Sequence, residues 1–173
     1  MLRPGIALRA LLLLYLAYAG VRQIADWEYA GLFAGIIFGV HELGHLVFGL
    51  VGEWIGVAGG SLAQLLLPLA AGALFLKQRD RYAVAVCGCW LAISLASLCP
   101  YIADARAQEL TLVSFSEEGA IHDWNYLLSS VGLLRDDVQI ARFVGFLAAL
   151  VLGVSCVLGA RETMRMAKPA PVS

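Results

Sequence analysis

Charged residues divide the chain into long apolar stretches. Uncharged runs occupy positions 54–76, 82–103 and 143–160. A helix of about 20 apolar residues crosses the roughly 30 Å hydrocarbon layer of a membrane, and it satisfies its own backbone hydrogen bonds there. The pattern therefore predicts three spanning helices.

Two further apolar stretches contain ionisable residues. The first carries Arg9 and Arg22, whose long side chains can reach the head groups from its two ends. The second carries His41, Glu42 and His45. With these two stretches included, we predict five spanning helices at about 6–24, 29–51, 56–76, 82–103 and 139–160.

The composition agrees with a membrane protein. Of the 173 residues, 61% are hydrophobic and 14% are charged, and the mean hydropathy is +0.81; soluble domains are about 45–50% apolar and about 25% charged. A net charge of −1 offers no basic surface for nucleic acid. We expect one all-α membrane domain over residues 1–173, a polytopic bundle of about five transmembrane helices in a lipid bilayer. A small chain of this kind suits a bacterial inner membrane.

The second predicted span contains a metal-binding pattern. His41 and His45 are four residues apart, so they share one face of a helix and can point at one ion. Glu42 lies about 100° further around the helix and can act as general base for a metal-bound water. Ionisable groups in hydrocarbon are costly and indicate function, although a polar network that joins helices is an alternative. This HExxH spacing predicts zinc ligands at His41 and His45 and a catalytic base at Glu42.

Catalytic zinc takes three protein ligands, and two residues compete for the third position. Asp104 ends the fourth predicted span, which runs parallel to the second, so it lies at the same membrane face as the end of the motif helix. His122 belongs to the polar loop 104–138, which leaves from that face and has the length of a functional loop. Either residue could be the third ligand, or both could bind with water as a labile further ligand.

Each of these loop residues also has a structural alternative. Asp123 could be an acidic metal ligand itself, it could orient His122 through a hydrogen bond to its ring, or it could cap a short helix at 124–134. Asp104 could simply end its helix and pair with Arg106. His122 could be a loop histidine at the membrane surface.

The segment Phe38-Gly-Val-His-Glu-Leu-Gly-His45 resembles the HExGH helix of the site-2 protease family of intramembrane zinc metalloproteases, with Gly44 at the glycine of that motif. In that family a later parallel helix supplies an aspartate within an Asn-Pro-Asp-Gly type motif. The nearest counterpart here is Pro100-Tyr-Ile-Ala-Asp104, which keeps a proline and an aspartate but not the whole motif. The resemblance implies that His41 and His45 bind zinc, that Glu42 is the base and that Asp104 is a possible third ligand, in a minimal or divergent member.

These observations lead to an expected function. We expect a membrane-embedded zinc hydrolase, most simply an intramembrane metalloprotease that cleaves a membrane segment of a protein. The same chemistry would serve a lipid or another amide, and a membrane subunit that binds metal without turnover is a third possibility. The glutamate inside the motif argues mildly against the third, because a structural metal site needs no base.

Overall fold

The computed structural model describes residues 4–111 and 122–168, and all regular secondary structure in these ranges is helical. This confirms the predicted all-α fold. The helices are α1 (Pro4–Ala25), α2 (Ala34–Phe48), α3 (Glu53–Lys77), α4 (Arg81–Ala103), α5 (Asp123–Ser130) and α6 (Asp137–Ala167), with a 3₁₀ turn at Leu134–Asp136 before α6.

Four of the described helices are long and apolar enough to cross a membrane: α1, α3, α4, and α6 with the turn before it. The second predicted span, 29–51, is not among them. Helix α2 has 15 residues and is therefore about 22 Å long, less than the roughly 30 Å hydrocarbon layer. Turns flank it on both sides, and Gly52 beyond its end has φ of 149°, a conformation that side chains rarely allow. The prediction of a full second span is thus corrected to a short apolar helix.

Helix α4 is the centre of the bundle, because it contacts α1, α3 and α6. Its small residues Ala85, Cys89, Ala92 and Ala96 are almost fully buried. Small side chains allow close approach of neighbouring helices, which is a usual basis of helix association in membranes. Helix α2 packs mainly along α3 and therefore lies at the edge of the bundle.

The contact between α2 and α3 is close enough to require glycine. A Cβ placed on Gly44 would collide with the carbonyl oxygen of Gly59, and a Cβ on Gly59 would lie 2.6 Å from the carbonyl oxygen of Gly44. The two backbones therefore touch directly. This contact fixes the register of α2 along α3, and with it the positions of His41 and His45.

The short helix α5 folds back over one end of the bundle and is attached to the start of α3. Trp54 Nε1 donates a hydrogen bond to Ser130 Oγ at 2.9 Å, and the Tyr126 hydroxyl donates to Glu53 Oε1 at 3.0 Å. The bond to the Glu53 carboxylate raises the pKa of Tyr126. These two bonds set the rotation of α5 relative to α3.

Arg106 pairs with Asp137 at 2.8 Å, rather than with Asp104 as one interpretation of the sequence suggested. Asp137 is the first residue of α6 and is fully buried. A buried carboxylate needs such a partner, so the ion pair ties the segment after α4 to the start of α6.

We expect Gly44→Ala to destabilise the protein by about 1–3 kcal/mol, the usual effect of overpacking a close contact, because the added methyl group forces α2 away from α3. Gly39→Ala on the same helix is the matched control, since its Cβ would meet nothing within 4 Å. Thermal unfolding in detergent, followed by near-UV circular dichroism, compares the two. Equal stability of the two variants would contradict a direct backbone contact at Gly44.

Candidate metal centre

Both histidines of α2 are oriented by hydrogen bonds to α3. His45 Nδ1 lies 2.9 Å from the carbonyl oxygen of Gly56, and His41 Nδ1 lies 3.0 Å from Gln64 Oε1. A carbonyl oxygen only accepts, so the Nδ1 of His45 carries a proton and donates it. Gln64 Nε2 donates to the carbonyl oxygen of Ser94 at 2.9 Å, which leaves Gln64 Oε1 to accept from His41 in the same way. In the neutral state, both rings therefore present an unprotonated Nε2.

The two Nε2 atoms face the carboxylate of Asp123. Asp123 Oδ2 lies 3.0 Å from His41 Nε2 and 3.2 Å from His45 Nε2. In a tetrahedral zinc site with bonds of about 2.0–2.2 Å, neighbouring ligand atoms are about 3.3 Å apart. Two neutral imidazole nitrogens and a carboxylate are all electron-pair donors, so they converge favourably only around a cation, either a metal ion or protons on the rings. The donor types and their spacing fit a metal ion.

Gly60 leaves open the space beside these nitrogens. A Cβ at Gly60 would lie 2.5 Å from His41 Nε2 and 2.6 Å from His45 Nε2. Gly56, Gly60 and Gln64 follow one another at intervals of four and so share one face of α3. The two outer residues of this face hold the Nδ1 atoms, and the middle one makes room on the Nε2 side.

Asp123 is the first residue of α5 and is 6% exposed. Its backbone N–H donates to the Tyr101 hydroxyl at 3.0 Å. Burial alone would raise the pKa of this carboxyl group. With the rings of His41 and His45 protonated, their hydrogen bonds and positive charges outweigh burial and lower the pKa of Asp123 below its usual value. The carboxylate is therefore ionised where it faces the two rings.

His122 and Asp104 form a pair of their own next to this group. The backbone N–H of Asn125 donates to His122 Nδ1 at 3.2 Å, so the ring proton sits on Nε2, which donates to Asp104 Oδ2 at 3.2 Å. Asp104 also accepts from the backbone N–H groups of Glu109 and Leu110, at 2.9 and 3.1 Å. The polar atoms of both side chains thus connect the end of α4 and residues 109–110 with the start of α5.

The structure therefore brings the residues of the predicted site to one end of the bundle. Several of them contact other partners than the sequence suggested. Asp123 faces both imidazoles instead of orienting His122 or capping the short helix, and His122 is the N-cap of α5. Asp104 and His122, the two candidates for the third ligand, bond to each other. A metal-binding role for either of them stays a prediction.

Glu42, His41 and His45 form a group whose ligand atoms all lie within 4.8 Å of one another and which could hold a metal ion. Glu42 and His41 also line a cavity of about 450 Å³, a volume typical of sites for small molecules or short segments. The other lining residues are Gln23, Trp27, Glu28, Tyr29, Ala30, Ala34, Ile37, Phe38, Gln64, Ser97, Leu98, Tyr101, Leu110 and Thr111. The cavity gives the group a space in which a substrate could lie.

The wall of this cavity is acidic and aromatic. Glu28 and Glu42 contribute two carboxylates, and no Lys or Arg is among the described residues that line it. The two carboxylates would repel a phosphate group, and no lysine or arginine of the described wall would pair with it. An uncharged polar group such as a peptide bond avoids this repulsion.

The sequence pattern assigned no role to Gln64 or Tyr101. A signal for Gln64 was present, since an amide inside an apolar span needs hydrogen-bond partners, and its spacing from Gly56 and Gly60 matches the spacing of the two histidines. Tyr101 carries no such signal, because tyrosine is common near the ends of membrane helices.

Comparison with known proteins gives no independent identification. No protein-family model matches the chain, and no match is found among curated proteins or solved structures.

We expect Gly60→Ala to weaken zinc binding by at least the roughly 10–100-fold that neighbours of metal ligands contribute, because the methyl group would fill the space beside both Nε2 atoms. Gly72→Ala is the control on the same helix, where a Cβ would make an ordinary contact of 3.5 Å with Cys87. Zinc content is measured by mass spectrometry after equilibration, with circular dichroism as a check of folding. Equal zinc content in the two folded variants would show that the ion does not bind beside Gly60.

Proposed function

We propose that the protein is a zinc-dependent hydrolase of the membrane, with His41, His45 and Asp123 as metal ligands and Glu42 as general base. The observation that carries this proposal is the convergence of two imidazole nitrogens of fixed tautomer and one carboxylate oxygen on the same point. Two histidines and one carboxylate are a donor set of catalytic zinc, which keeps its fourth position for water or substrate.

Each neighbouring residue has a distinct part in this proposal. Zinc, when bound, would act as a Lewis acid and lower the pKa of a coordinated water to about 7. Glu42 accepts the proton of the attacking water and passes it to the leaving group. Gln64 keeps the His41 ring in its tautomer, and the Asp104–His122 pair holds the start of α5 so that Asp123 faces the rings.

We further propose that the bond cleaved is an amide in a membrane segment of a protein. Two observations support this choice. The His41–His45 segment resembles the HExGH helix of site-2 proteases, and the described cavity wall offers two carboxylates and no basic side chain to a phosphate-bearing lipid. A neutral peptide bond fits such a wall better than an anionic head group.

We expect Asp123→Asn to lose zinc as His41→Ala does, because an amide is a far poorer ligand than a carboxylate. Asp104→Asn should retain zinc, with an affinity reduced by no more than about 10–100-fold, since Asp104 acts here through the placement of α5. Competition with a chelator measures the affinities. Loss of zinc from Asp104→Asn, with retention in Asp123→Asn, would restore Asp104 as the third ligand.

We expect Glu42→Gln to keep its zinc and to lose hydrolytic activity by about 10²–10⁴-fold, the usual contribution of a general base. Glu28→Gln, on the same cavity wall, is the control and should keep most of the activity. Purified protein in detergent is incubated with transmembrane peptides and, separately, with phospholipids, and the products are identified by mass spectrometry.

The assay also separates the alternatives. Cleavage of phospholipids alone would replace the peptide substrate with a lipid. Full zinc content without cleavage of either class of substrate would indicate a metal-binding subunit and would contradict the hydrolase. Full activity of Glu42→Gln would exclude Glu42 as the base.

A further inference from the structure

Tyr101 is held on the cavity wall beside the metal-binding group. It lies in the last turn of α4, where its ring centroid is 4.4 Å from that of His122 and 6.0 Å from that of His41. Its hydroxyl oxygen accepts the N–H of Asp123 at 3.0 Å, and the residue lines the cavity. Contacts on several sides thus fix the position of the phenol group.

The hydroxyl hydrogen of Tyr101 is not used by the contacts that hold its oxygen. A phenol has one donor hydrogen and two lone pairs, and the N–H of Asp123 occupies one lone pair. Within residues 4–111 and 122–168, Tyr101 donates no hydrogen bond of good geometry. The carboxylate of Asp123 lies close enough to be a weak acceptor for this hydrogen, and the carboxylate of Glu42 also acts electrostatically on the hydroxyl. The hydroxyl is therefore next to the proposed base and the proposed third ligand.

Hydrolysis of an amide needs a hydrogen-bond donor at this location. The water oxygen bonds to the carbonyl carbon while Glu42 takes a water proton, and the C=O electron pair moves onto the carbonyl oxygen. Cleavage of the C–N bond restores the carbonyl, and Glu42 passes the proton to the nitrogen, which yields an acid and an amine. Donors aimed at the transient negative oxygen are usually among the largest contributions to catalysis.

Two other side-chain donors on the cavity wall, Gln64 and Ser97, are already engaged. Gln64 Nε2 and Ser97 Oγ both donate to the carbonyl oxygen of Ser94, each at 2.9 Å. No Lys or Arg is among the described lining residues. Among the described residues, Tyr101 combines a hydroxyl on the cavity wall with a direct bond to the N–H of Asp123.

We propose that the Tyr101 hydroxyl donates a hydrogen bond to the oxygen that becomes negatively charged during hydrolysis. This inference rests on the proposed function and adds a catalytic residue to it. Asp123 links the two roles, because its carboxylate faces the imidazoles while its N–H positions the Tyr101 oxygen. The same turn of α5 therefore aligns the metal ligand and the donor.

The test uses Tyr101→Phe, which removes the hydroxyl and keeps the ring. Zinc-loaded full-length protein in detergent is titrated by calorimetry with a phosphinic peptide, whose tetrahedral anionic group mimics the charged oxygen. We expect its affinity to fall about 10- to 100-fold, as for loss of a hydrogen bond to a charged group. We also expect kcat for a transmembrane peptide to fall about 10²–10³-fold, with KM and zinc content unchanged.

Tyr82→Phe is the matched control. It removes a hydroxyl from the same helix, one that donates to the carbonyl oxygen of Arg9 at 2.7 Å, and it should leave binding of the phosphinic peptide unchanged. Loss of zinc from Tyr101→Phe in proportion to the loss of phosphinic-peptide binding would mean that Tyr101 only positions Asp123, and would overturn the proposal. Unchanged binding and unchanged kcat would overturn it as well. Failure of the wild-type protein to bind zinc would overturn the proposed function and this inference together.

Discussion

A neutral imidazole offers one lone pair to a metal, and the hydrogen bond at its other nitrogen decides where that lone pair points. Here α3 takes the Nδ1 hydrogens of both histidines, through the carbonyl oxygen of Gly56 and the amide oxygen of Gln64. Both lone pairs are thereby directed to Asp123. The glycine contact between α2 and α3 sets the distance at which these bonds can form. The packing of the two backbones therefore also determines where the imidazole lone pairs point.

The bundle architecture could be predicted from the sequence because charges are scarce and lie at the helix ends. The length of α2 could not be predicted in this way, since the apolar run at 29–51 continues through both ends of the helix. The helix ends at Phe48, and the chain passes through a turn at 49–51 to Gly52, whose φ is 149° and which precedes α3. Hydrophobicity locates a helix in a membrane protein, but it does not mark a helix end that is formed by apolar residues.

Part of the candidate site could likewise be predicted from the sequence, and part could not. His41, Glu42 and His45 lie within about one helical turn, so their spacing alone places them together. The choice among the aspartates and the third histidine depends on the rotation of α5, in which neighbouring residues point about 100° apart. That rotation is set by Trp54 with Ser130 and by Tyr126 with Glu53, pairs that are 76 and 73 residues apart in the sequence. The spacing of residues along the sequence does not predict contacts between residues so far apart.

The shortness of α2 also bears on how a reaction that consumes water could take place in hydrocarbon. In a bilayer, an apolar helix shorter than the hydrocarbon layer is accommodated by local thinning of the lipid or by polar groups drawn inward. His45 lies in the last turn of α2, so this deformation falls next to the metal-binding group. Such thinning would bring the hydrated head-group region toward Glu42, whereas α4 and α6 are long enough to cross the full hydrocarbon layer. In the proposed hydrolase, a helix too short to cross the hydrocarbon layer would thus give bulk water a short path to Glu42, the proposed base.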